Sequence, residues 1–436
     1  MYRREILMVH NKNVVTFLTV ALVLCASLGC NRAEPPSLTK PTGLVIDSIE
    51  VGSNVREVEK YESQRAVENS ILIGLDADMT SGAAQGGEAI RRGIVLGIDQ
   101  INSTGGILGR PLELLVRDHR GNPERGIDNI RELAKCDDLL AVFGGVHTPV
   151  ALRELELIHQ NEILFLIPWA AGTPVVANGY SPNFVFRLSV RDEYAGDFLV
   201  GSAFERGFRR LGLLLERTGW GRSNETAIKA AMGERGRKAA DVRWFNWGDQ
   251  DFSGDIEALR KAGADAVVFV GNPMEGVRMV ASMAGIPAGS RLPVISHWGI
   301  TGGDFHRSTK EHLSKVDLTF LQTHSFIRPK YPVRSGRLYA AYVAKFAECK
   351  SERDVFSPVG TAHAYELTMM LATAARSAGS IERTLVRDEM EKITSYNGVI
   401  RDYDRPFPPE HHDALTIDDF IMARFANDGS IEPIVE

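Results

Sequence analysis

The chain alternates between short, wholly apolar runs and longer segments in which apolar residues recur every three or four positions. Residues 71–75 form a run of the first kind, which is typical of a strand buried on both faces of a sheet. From Ile90 to Ile101 the apolar residues fall at helical spacing, with Gly93 and Gly97 on or beside that face. This pattern predicts a strand followed by a helix that packs closely on the sheet.

The alternation continues through most of the chain and predicts two series of strand and helix units. Repeated β-α-β units imply a parallel sheet with helices on both faces. We therefore predict an α/β fold with two similar doubly wound parallel-sheet lobes. The first series has predicted strands at 112–116, 139–143 and 163–167 and helices at 124–135 and 150–159; the second has strands at 211–215, 242–245, 266–270 and 292–296 and helices at 223–232, 255–261 and 275–283.

The N-terminal residues carry the pattern of an export signal. A leader containing Arg3 and Arg4 is followed by the uncharged run 14–24 and then by Ser-Leu-Gly-Cys ending at Cys30. An apolar core this short is typical of a secretory signal, because a membrane span needs roughly 18 to 20 apolar residues. The final four residues resemble a lipobox, so we expect 1–29 to be a lipoprotein signal peptide and Cys30 to be the lipid attachment site. Cleavage without a lipid and an uncleaved anchor are the alternatives.

The boundaries of the lobes follow from the same patterns. Residues 30–70 show little apolar periodicity and are interpreted as a tether. The long helices and the late strands predicted after residue 330 have to be shared between the lobes. We assign 71–190 plus about 299–405 to the first lobe and 191–298 plus about 406–436 to the second lobe.

Composition and charge favour a small solute as the partner. The chain is 44% hydrophobic and 24% charged, values typical of globular domains, and its net charge of −6 argues against a nucleic-acid partner. Outside the leader and Cys30, the body contains only Cys136 and Cys349, which are typical of buried apolar residues. The run His411-His412-Asp413 lacks the paired spacing of metal ligands. We expect no metal and no cofactor.

One stretch of the first lobe combines several motifs in a specific order. Thr80-Ser81-Gly82 and Gly86-Gly87-Glu88 come first, then Asn102, then Gly105-Gly106-Ile107-Leu108-Gly109-Arg110-Pro111, and the next strand leads into Asp118. Gly105, Gly106 and Gly109 suit a turn that requires positive φ. In this order the stretch resembles the periplasmic solute-binding proteins of the leucine/isoleucine/valine type, which serve ATP-driven importers. The likeness covers essentially the whole body.

The resemblance implies a type I periplasmic-binding fold, in which two lobes joined by a multi-strand hinge close on a solute. Ligands in open α/β sheets bind beyond the carboxyl ends of the strands. By resemblance, Thr148 donates its hydroxyl to a ligand carboxylate, and the loop Ala170, Ala171 and Thr173 supplies backbone groups. Ala171 stands where the family usually has Thr or Ser. Thr148 is also suited to be the N-cap of the helix that starts at Pro149.

The resemblance also implies binding residues in the second lobe. Trp220 would form an aromatic wall against the ligand, or else pack between the lobes. Glu275 would accept a charge-assisted hydrogen bond from a ligand ammonium, or else stabilise the N-terminus of its helix. His297 and Trp298, at the end of a strand, are candidates for lining the cleft, although a histidine there is often only structural.

Three further residues, His147, Trp169 and His324, are similar candidates for the cleft. We interpret Trp244 and Trp247 as outer-strand or core aromatics.

Catalysis has little support, because the chain contains no Gly-x-Ser-x-Gly elbow, Walker loop or His-Glu-x-x-His motif. We therefore predict an exported, lipid-anchored binding protein that is not an enzyme. It would capture an amino acid or a similar small solute and deliver it to the membrane permease of an ATP-driven importer. A ligand-sensing module that reports to a membrane receptor is the alternative.

Overall fold

The computed structural model describes residues 69–434 and the short segment Val55–Glu57. The predicted signal peptide, Cys30 and most of the predicted tether lie outside the described residues. Within the described part of the chain, no helix combines the length and the apolar character that crossing a membrane would require.

In the described residues, six parallel strands form the sheet of the first lobe. Strands β2, β4 and β5 are buried along their whole length, as expected when helices cover both faces of a sheet. The order across the sheet is β1-β3-β2-β4-β5-β6. The strands are β1 (Val55–Glu57), β2 (Ile71–Ala77), β3 (Leu112–Asp118), β4 (Leu139–Gly144), β5 (Leu164–Ile167) and β6 (Val185–Arg187).

Strand β1 lies inside the segment that the sequence assigned to a tether. It pairs in parallel with β3, so that it forms the edge of the first sheet. Strand β3 otherwise leaves one row of backbone groups unpaired, and an added strand satisfies them. The prediction of a featureless spacer is therefore wrong at these three residues.

The helices between these strands are α1 (Ala84–Ser103), α2 (Pro123–Leu133), α3 (Thr148–Gln160) and the short α4 (Thr173–Val176). Helix α1 ends in the predicted glycine turn, where Gly105, Gly106 and Gly109 all have positive φ, and Ile107 bridges Arg110 in an antiparallel return. This prediction is confirmed. Asn102 braces the turn, because its side chain exchanges two hydrogen bonds with the backbone of Leu112.

The second lobe contains a parallel sheet with the same strand order. Its parallel strands are β7 (Leu211–Glu216), β8 (Asp241–Phe245), β9 (Ala266–Val270), β10 (Val294–Ser296) and β11 (Leu318–Gln322). They lie in the order β8-β7-β9-β10-β11, which repeats the order β3-β2-β4-β5-β6 of the first lobe. The helices in this part of the chain are α5 (Asp192–Glu205), α6 (Gly219–Glu234), α7 (Ser253–Lys261), α8 (Pro273–Gly285) and α9 (Phe305–Leu313).

After β11 the chain returns to the first lobe. It forms α10 (Pro332–Lys345), α11 (Pro358–Ala378), α12 (Arg383–Glu391) and a hairpin of β12 (Ser395–Asn397) and β13 (Asp402–Asp404). Helix α11 packs along α1. A Cβ on Gly93 would lie 2.3 Å from the carbonyl oxygen of Thr361, and one on Gly97 would lie 2.7 Å from Thr368. These glycines therefore allow α11 to pack closely on α1. The sequence had suggested that they face the sheet.

The chain finally crosses back and adds β14 (Ile421–Phe425) and β15 (Ile431–Pro433), both antiparallel, to the second sheet. The described chain thus passes between the lobes three times, after β6, after β11 and before β14. Strand β11 pairs with β10 and β14. The predicted division is therefore wrong for 299–322, which was assigned to the first lobe but completes the second sheet.

Candidate functional site

The cleft between the lobes lies where the strand order of each sheet reverses. In the first lobe this switch point falls between β2 and β4, and in the second lobe it falls between β7 and β9. At such a point the loops that follow two adjacent strands run in opposite directions and leave a crevice beyond their carboxyl ends. Residues from all four of these strand ends meet between the lobes.

A narrow cavity, here called the inner chamber, lies between the two switch points and leaves free room for about one water molecule. Three tryptophans and several polar groups share its wall. The first lobe contributes Thr148, Trp169 and Ala171, and the second lobe contributes Glu216, Trp220, Asn272 and Trp298.

Glu216, the last residue of β7, places a fully buried carboxylate on the wall of the inner chamber. Its Oε2 accepts hydrogen bonds from Trp247 Nε1 at 2.9 Å and from Asn272 Nδ2 at 2.8 Å, and its Oε1 accepts one from the Thr218 hydroxyl at 2.5 Å. Burial raises the pKa of Glu216 to about 7, although these hydrogen bonds and the nearby His147 act in the opposite direction.

His147 faces Glu216 from the first lobe and has an acidic partner of its own. Its Nε2 lies 3.1 Å from Oδ2 of the buried Asp78, at the end of the β2 segment. Asp78 also accepts hydrogen bonds from Ser81 and from the backbone N–H of Ala83. These donors, led by His147, hold the pKa of Asp78 well below its usual range despite its burial.

A second and larger cavity, the outer chamber, adjoins the first at His147 and Asn272 and contains about 320 Å³ of space. Trp247 closes part of its wall, with its ring centroid 5.3 Å from that of His147. Glu275 lines this outer chamber rather than the inner one, and its Oε1 accepts a hydrogen bond from the backbone N–H of Gly248 at 3.0 Å. The other lining residues include Asp78, Ser81, Arg120 and Met274.

Thr148 lines the inner chamber. Its Oγ1 accepts a hydrogen bond from the backbone N–H of Gly172 at 3.1 Å, which leaves its own proton available for a second partner. The alternative that Thr148 is the N-cap of α3 is wrong, because His147 occupies that position and Thr148 is the first helical residue.

The loop that follows β5 contributes only part of its length to the chamber. Ala171 lines the wall, and its carbonyl accepts a hydrogen bond from Asp192 N–H at 2.9 Å. The carbonyl of Ala170 faces Arg187, and Thr173 uses its hydroxyl to accept from Glu193 N–H. Ala170 and Thr173 thus lie outside the lining of the inner chamber.

Trp220 is held in place by a buried cluster behind the chamber wall. Its Nε1 donates to Asp192 Oδ1 at 3.1 Å, and its ring meets that of His297 edge to face at 5.0 Å. His297 is fully buried, and its Nδ1 accepts from the backbone N–H of Trp298. His297 therefore supports Trp220 and Trp298 instead of lining the chamber.

Four of the binding residues predicted from the sequence line the inner chamber, namely Thr148, Ala171, Trp220 and Trp298. The further candidates Trp169 and His147 also lie on its wall. His324 instead lies buried in the crossing after β11, where its Nε2 is 3.5 Å from the Ser335 hydroxyl.

Three polar contributors were missed by sequence reasoning. Glu216 ends the apolar strand β7 and Asn272 comes two residues after the apolar strand β9, which was the available signal. The interpretation of Trp247 as an outer-strand or core residue is wrong, because Trp247 is 38% exposed and lines the outer chamber.

The lobes are in contact around the chamber, which is the arrangement of a closed form. Helix α3 of the first lobe packs on α6 of the second. The backbone N–H of Thr173 donates to the Ser223 hydroxyl at 3.1 Å. A solute in the inner chamber would therefore touch both lobes at once.

In the described residues, no group of three or more His, Cys, Asp or Glu side chains is placed so that it could hold a metal ion. His412 lies between the Val185 carbonyl and Glu391, and Asp413 pairs with Arg187. Cys136 and Cys349 are both buried and free, as predicted.

The paired switch points and the chamber between them define a two-lobed solute-binding protein. A family model described as periplasmic binding protein matches residues 70–430. The chain belongs to this family, whose members bind ligands and are not enzymes. The structure has the type I arrangement that the resemblance implied.

Two curated relatives share low sequence identity with the chain. The chain is 28% identical over 242 residues to Leu/Ile/Val-binding protein homolog 3 of Brucella melitensis biotype 1, an alignment that covers 53% of this chain and 64% of that protein. It is 24% identical over 344 residues to Leu/Ile/Val-binding protein homolog 1 of Brucella abortus, which covers 78% of this chain and 88% of that protein. The first alignment thus spans less than two thirds of its relative.

Solved structures share the fold at lower identity. A periplasmic binding protein type 1 from Bordetella pertussis superposes with a TM-score of 0.75 at 22% identity, covering 84% of this chain and all of that one. The branched-chain amino acid transporter substrate-binding protein LivJ of Streptococcus pneumoniae, in complex with isoleucine, gives 0.70 at 19%, covering 83% and 98%. A solute-binding protein of an ABC transporter from Rhodopseudomonas palustris, in complex with p-hydroxybenzoic acid, gives 0.71 at 16%, covering 84% and 96%.

Proposed function

We propose that this chain is the extracytoplasmic substrate-binding component of an ATP-driven importer, and that it captures an amino acid or a similarly small solute between its lobes. The observation that carries the proposal is the inner chamber, whose wall is built from the switch points of both sheets. Only a closed form lets both lobes contact one solute. Binding therefore shifts the equilibrium between the open and the closed form, by as much as the solute binds the closed form more tightly than the open form.

The chemistry of the inner chamber supports a small amphipathic ligand. In the closed form its own walls nearly fill the chamber, so a solute of amino-acid size enters when the lobes part and is held by a less tightly closed form. The Thr148 hydroxyl on one side can donate to a carboxylate, while Glu216 and Asn272 stand on the other side. Trp169, Trp220 and Trp298 supply flat apolar surface for a side chain.

The relatives support the same class of ligand without selecting one compound. The Brucella proteins carry the name Leu/Ile/Val-binding protein homolog. One structural neighbour holds isoleucine and another holds p-hydroxybenzoic acid. We place amino acids first because the chamber combines a hydroxyl donor with a carboxylate, which complement the two charged groups of an α-amino acid.

The export signal supports a position outside the cytoplasm. We propose that residues 1–29 are removed and that lipid on Cys30 anchors the mature protein to a membrane surface. The partner would then be the membrane permease of the importer, which receives the solute when the lobes open.

A ligand screen tests this proposal. Thermal-shift measurement over the standard amino acids, their amides and aromatic carboxylic acids should reveal at least one compound that raises the melting temperature. Saturation at a hundred times Kd adds about 2.7 kcal/mol of stability. Calorimetric titration of the best compound should give one site per chain.

The matched variants are Trp220→Ala in the chamber wall and Trp244→Ala on strand β8, outside the chamber. Trp220→Ala should weaken binding about tenfold or more, because it removes a buried aromatic contact. Trp244→Ala should bind normally. A protein that binds no compound of the panel, or equal affinity in both variants, would contradict the proposal.

A further inference from the structure

The inner chamber has one acidic side chain on its wall, and it differs from the acid that the family resemblance suggested. Glu216 lies there, at the carboxyl end of β7, with no exposed surface. Glu275 lines the outer chamber and accepts a hydrogen bond from Gly248. A solute in the inner chamber would therefore meet Glu216 first.

The groups around Glu216 are arranged to hold a carboxylate while leaving its charge without a counter-ion. Trp247, Asn272 and Thr218 donate hydrogen bonds to its two oxygens. These three donors are neutral. The charged or titratable groups that face it are His147 from the start of α3, which already has Asp78 as a partner, and Glu275 from α8, which repels it.

We propose that Glu216 is the carboxylate that holds the cationic group of the bound solute, and that the solute is an amine or another organic cation. This inference rests on the proposed function, because it names the ligand class of the same cleft. Each carboxylate oxygen has lone pairs for about two hydrogen bonds, so an ammonium can add a bond to Oε1. Trp220 lines the same wall and offers a ring face to a cation.

Burial makes this arrangement sensitive to pH. The pKa of Glu216 is raised to about 7, so the empty protein exchanges a proton at this carboxyl near neutral pH. A cation favours the ionised form, and binding at or below neutral pH therefore releases a proton. The affinity should rise with pH and level off above the pKa of Glu216.

The experiment measures the dissociation constant of the full-length protein by calorimetry at about pH 8 and about pH 5.5, where the ionised fraction of such a group differs by about thirtyfold. The probes form two matched series. They are L-leucine, 3-methylbutylamine and 4-methylpentanoate, and L-phenylalanine, 2-phenylethylamine and 3-phenylpropionate. In each series the last compound lacks the ammonium and otherwise keeps the shape of the side chain.

The variants are Glu216→Gln, which keeps the size of the side chain and removes its charge, and Glu275→Gln as the matched control in the outer chamber. We expect an ammonium-bearing probe to bind about thirtyfold more tightly at the higher pH, and the deaminated acid to bind weakly at both. Glu216→Gln should lose at least thirtyfold in affinity at pH 8 and should bind with no pH dependence. Glu275→Gln should keep the pH-dependent affinity, displaced somewhat to lower pH because the charge that repels Glu216 is gone.

The outcomes separate this inference from the proposed function. If the deaminated acids bind as well as the amines, or if Glu216→Gln keeps wild-type affinity and pH dependence, the role of Glu216 is wrong while solute capture stands. If the wild-type protein binds neither these probes nor any compound of the wider panel, both fail. Should Glu216→Gln not fold, the wild-type pH profile and the matched probes decide the matter.

Discussion

A buried ion pair behind the inner chamber gives the sharpest prediction about stability. Arg187 ends β6 and is completely buried. Its Nε donates to Asp413 Oδ1 at 2.5 Å, and its Nη1 donates to the carbonyl of Gly172 at 2.8 Å. Asp413 also lies 3.2 Å from Arg191. The pair therefore joins the loop beside Ala171 to the segment before the last crossing.

The perturbation is Asp413→Asn, which keeps the shape of the side chain and removes its charge. Arg187 would keep its carbonyl acceptors but would become a buried cation without a counter-ion. Breaking a buried pair in this way costs about 3 to 5 kcal/mol, a large part of the 5 to 15 kcal/mol that typically stabilises a folded protein. Urea unfolding followed by tryptophan fluorescence would measure the loss.

The matched control is Asp402→Asn. Asp402 also lies 2.5 Å from an arginine, Arg334, but its side chain is 57% exposed. Solvent screens such a pair, so this variant should unfold at nearly the wild-type urea concentration. Equal midpoints for Asp413→Asn and Asp402→Asn would refute the reasoning that burial makes the Arg187 pair costly to break.

Three further predictions concern anchoring, ligand binding and acid stability. Cys30→Ser should move the protein from the membrane fraction to the soluble fraction of cells, and identical fractionation of wild type and variant would contradict the lipid anchor. Thr148→Ala should weaken binding of the solute by about 1 to 2 kcal/mol, while Thr148→Ser, which keeps the hydroxyl, should bind nearly as well as wild type in the same titration. Burial lowers the pKa of His324 to about 3, below its value of 6.5 in an unfolded chain. The neutral, buried His324 therefore contributes its whole share of the unfolding free energy above pH 6.5, and this share falls as the pH is lowered towards the folded pKa. Acidification to pH 5 should remove about 2 kcal/mol through His324, and a His324→Gln variant that lost stability equally steeply between pH 6.5 and pH 5 would contradict this.

Most strands and helices could be predicted because their signals are local. Strand β9 was predicted at its observed bounds, and β2, β4 and β7 were predicted to within two residues. A run of four or more apolar residues between polar ones is typical of a strand covered on both faces.

Other elements were missed because tertiary contacts determine them. Strand β11 mixes Thr and Gln with apolar residues, and its place beside β10 follows from the second crossing between the lobes. Helix α9 buries only Phe305 and Thr309, so its sequence contains too few apolar residues to reveal a helix. The edge strand β1 is short and polar and pairs because β3 offers an open edge.

Site residues in loops that match a known motif could be predicted from the sequence. Residues that depend on contacts between distant segments could not. Thr148 and Trp220 could be named from their loops. Glu216 and Trp247 were not named, because their hydrogen bond joins β7 to the segment after β8, which are distant in sequence but lie in the same lobe. The contact of Trp247 with His147 does depend on closure of the two lobes, which a single stretch of sequence does not encode.

The central claim is that a solute is held between the two switch points, and a crystal structure of the protein grown with the compound that emerges from the panel tests it most directly. We predict electron density for the compound inside the inner chamber, in contact with Thr148 of the first lobe and with Trp220 and Glu216 of the second. Density on the outer surface of a single lobe, with the inner chamber filled only by water, would contradict the claim.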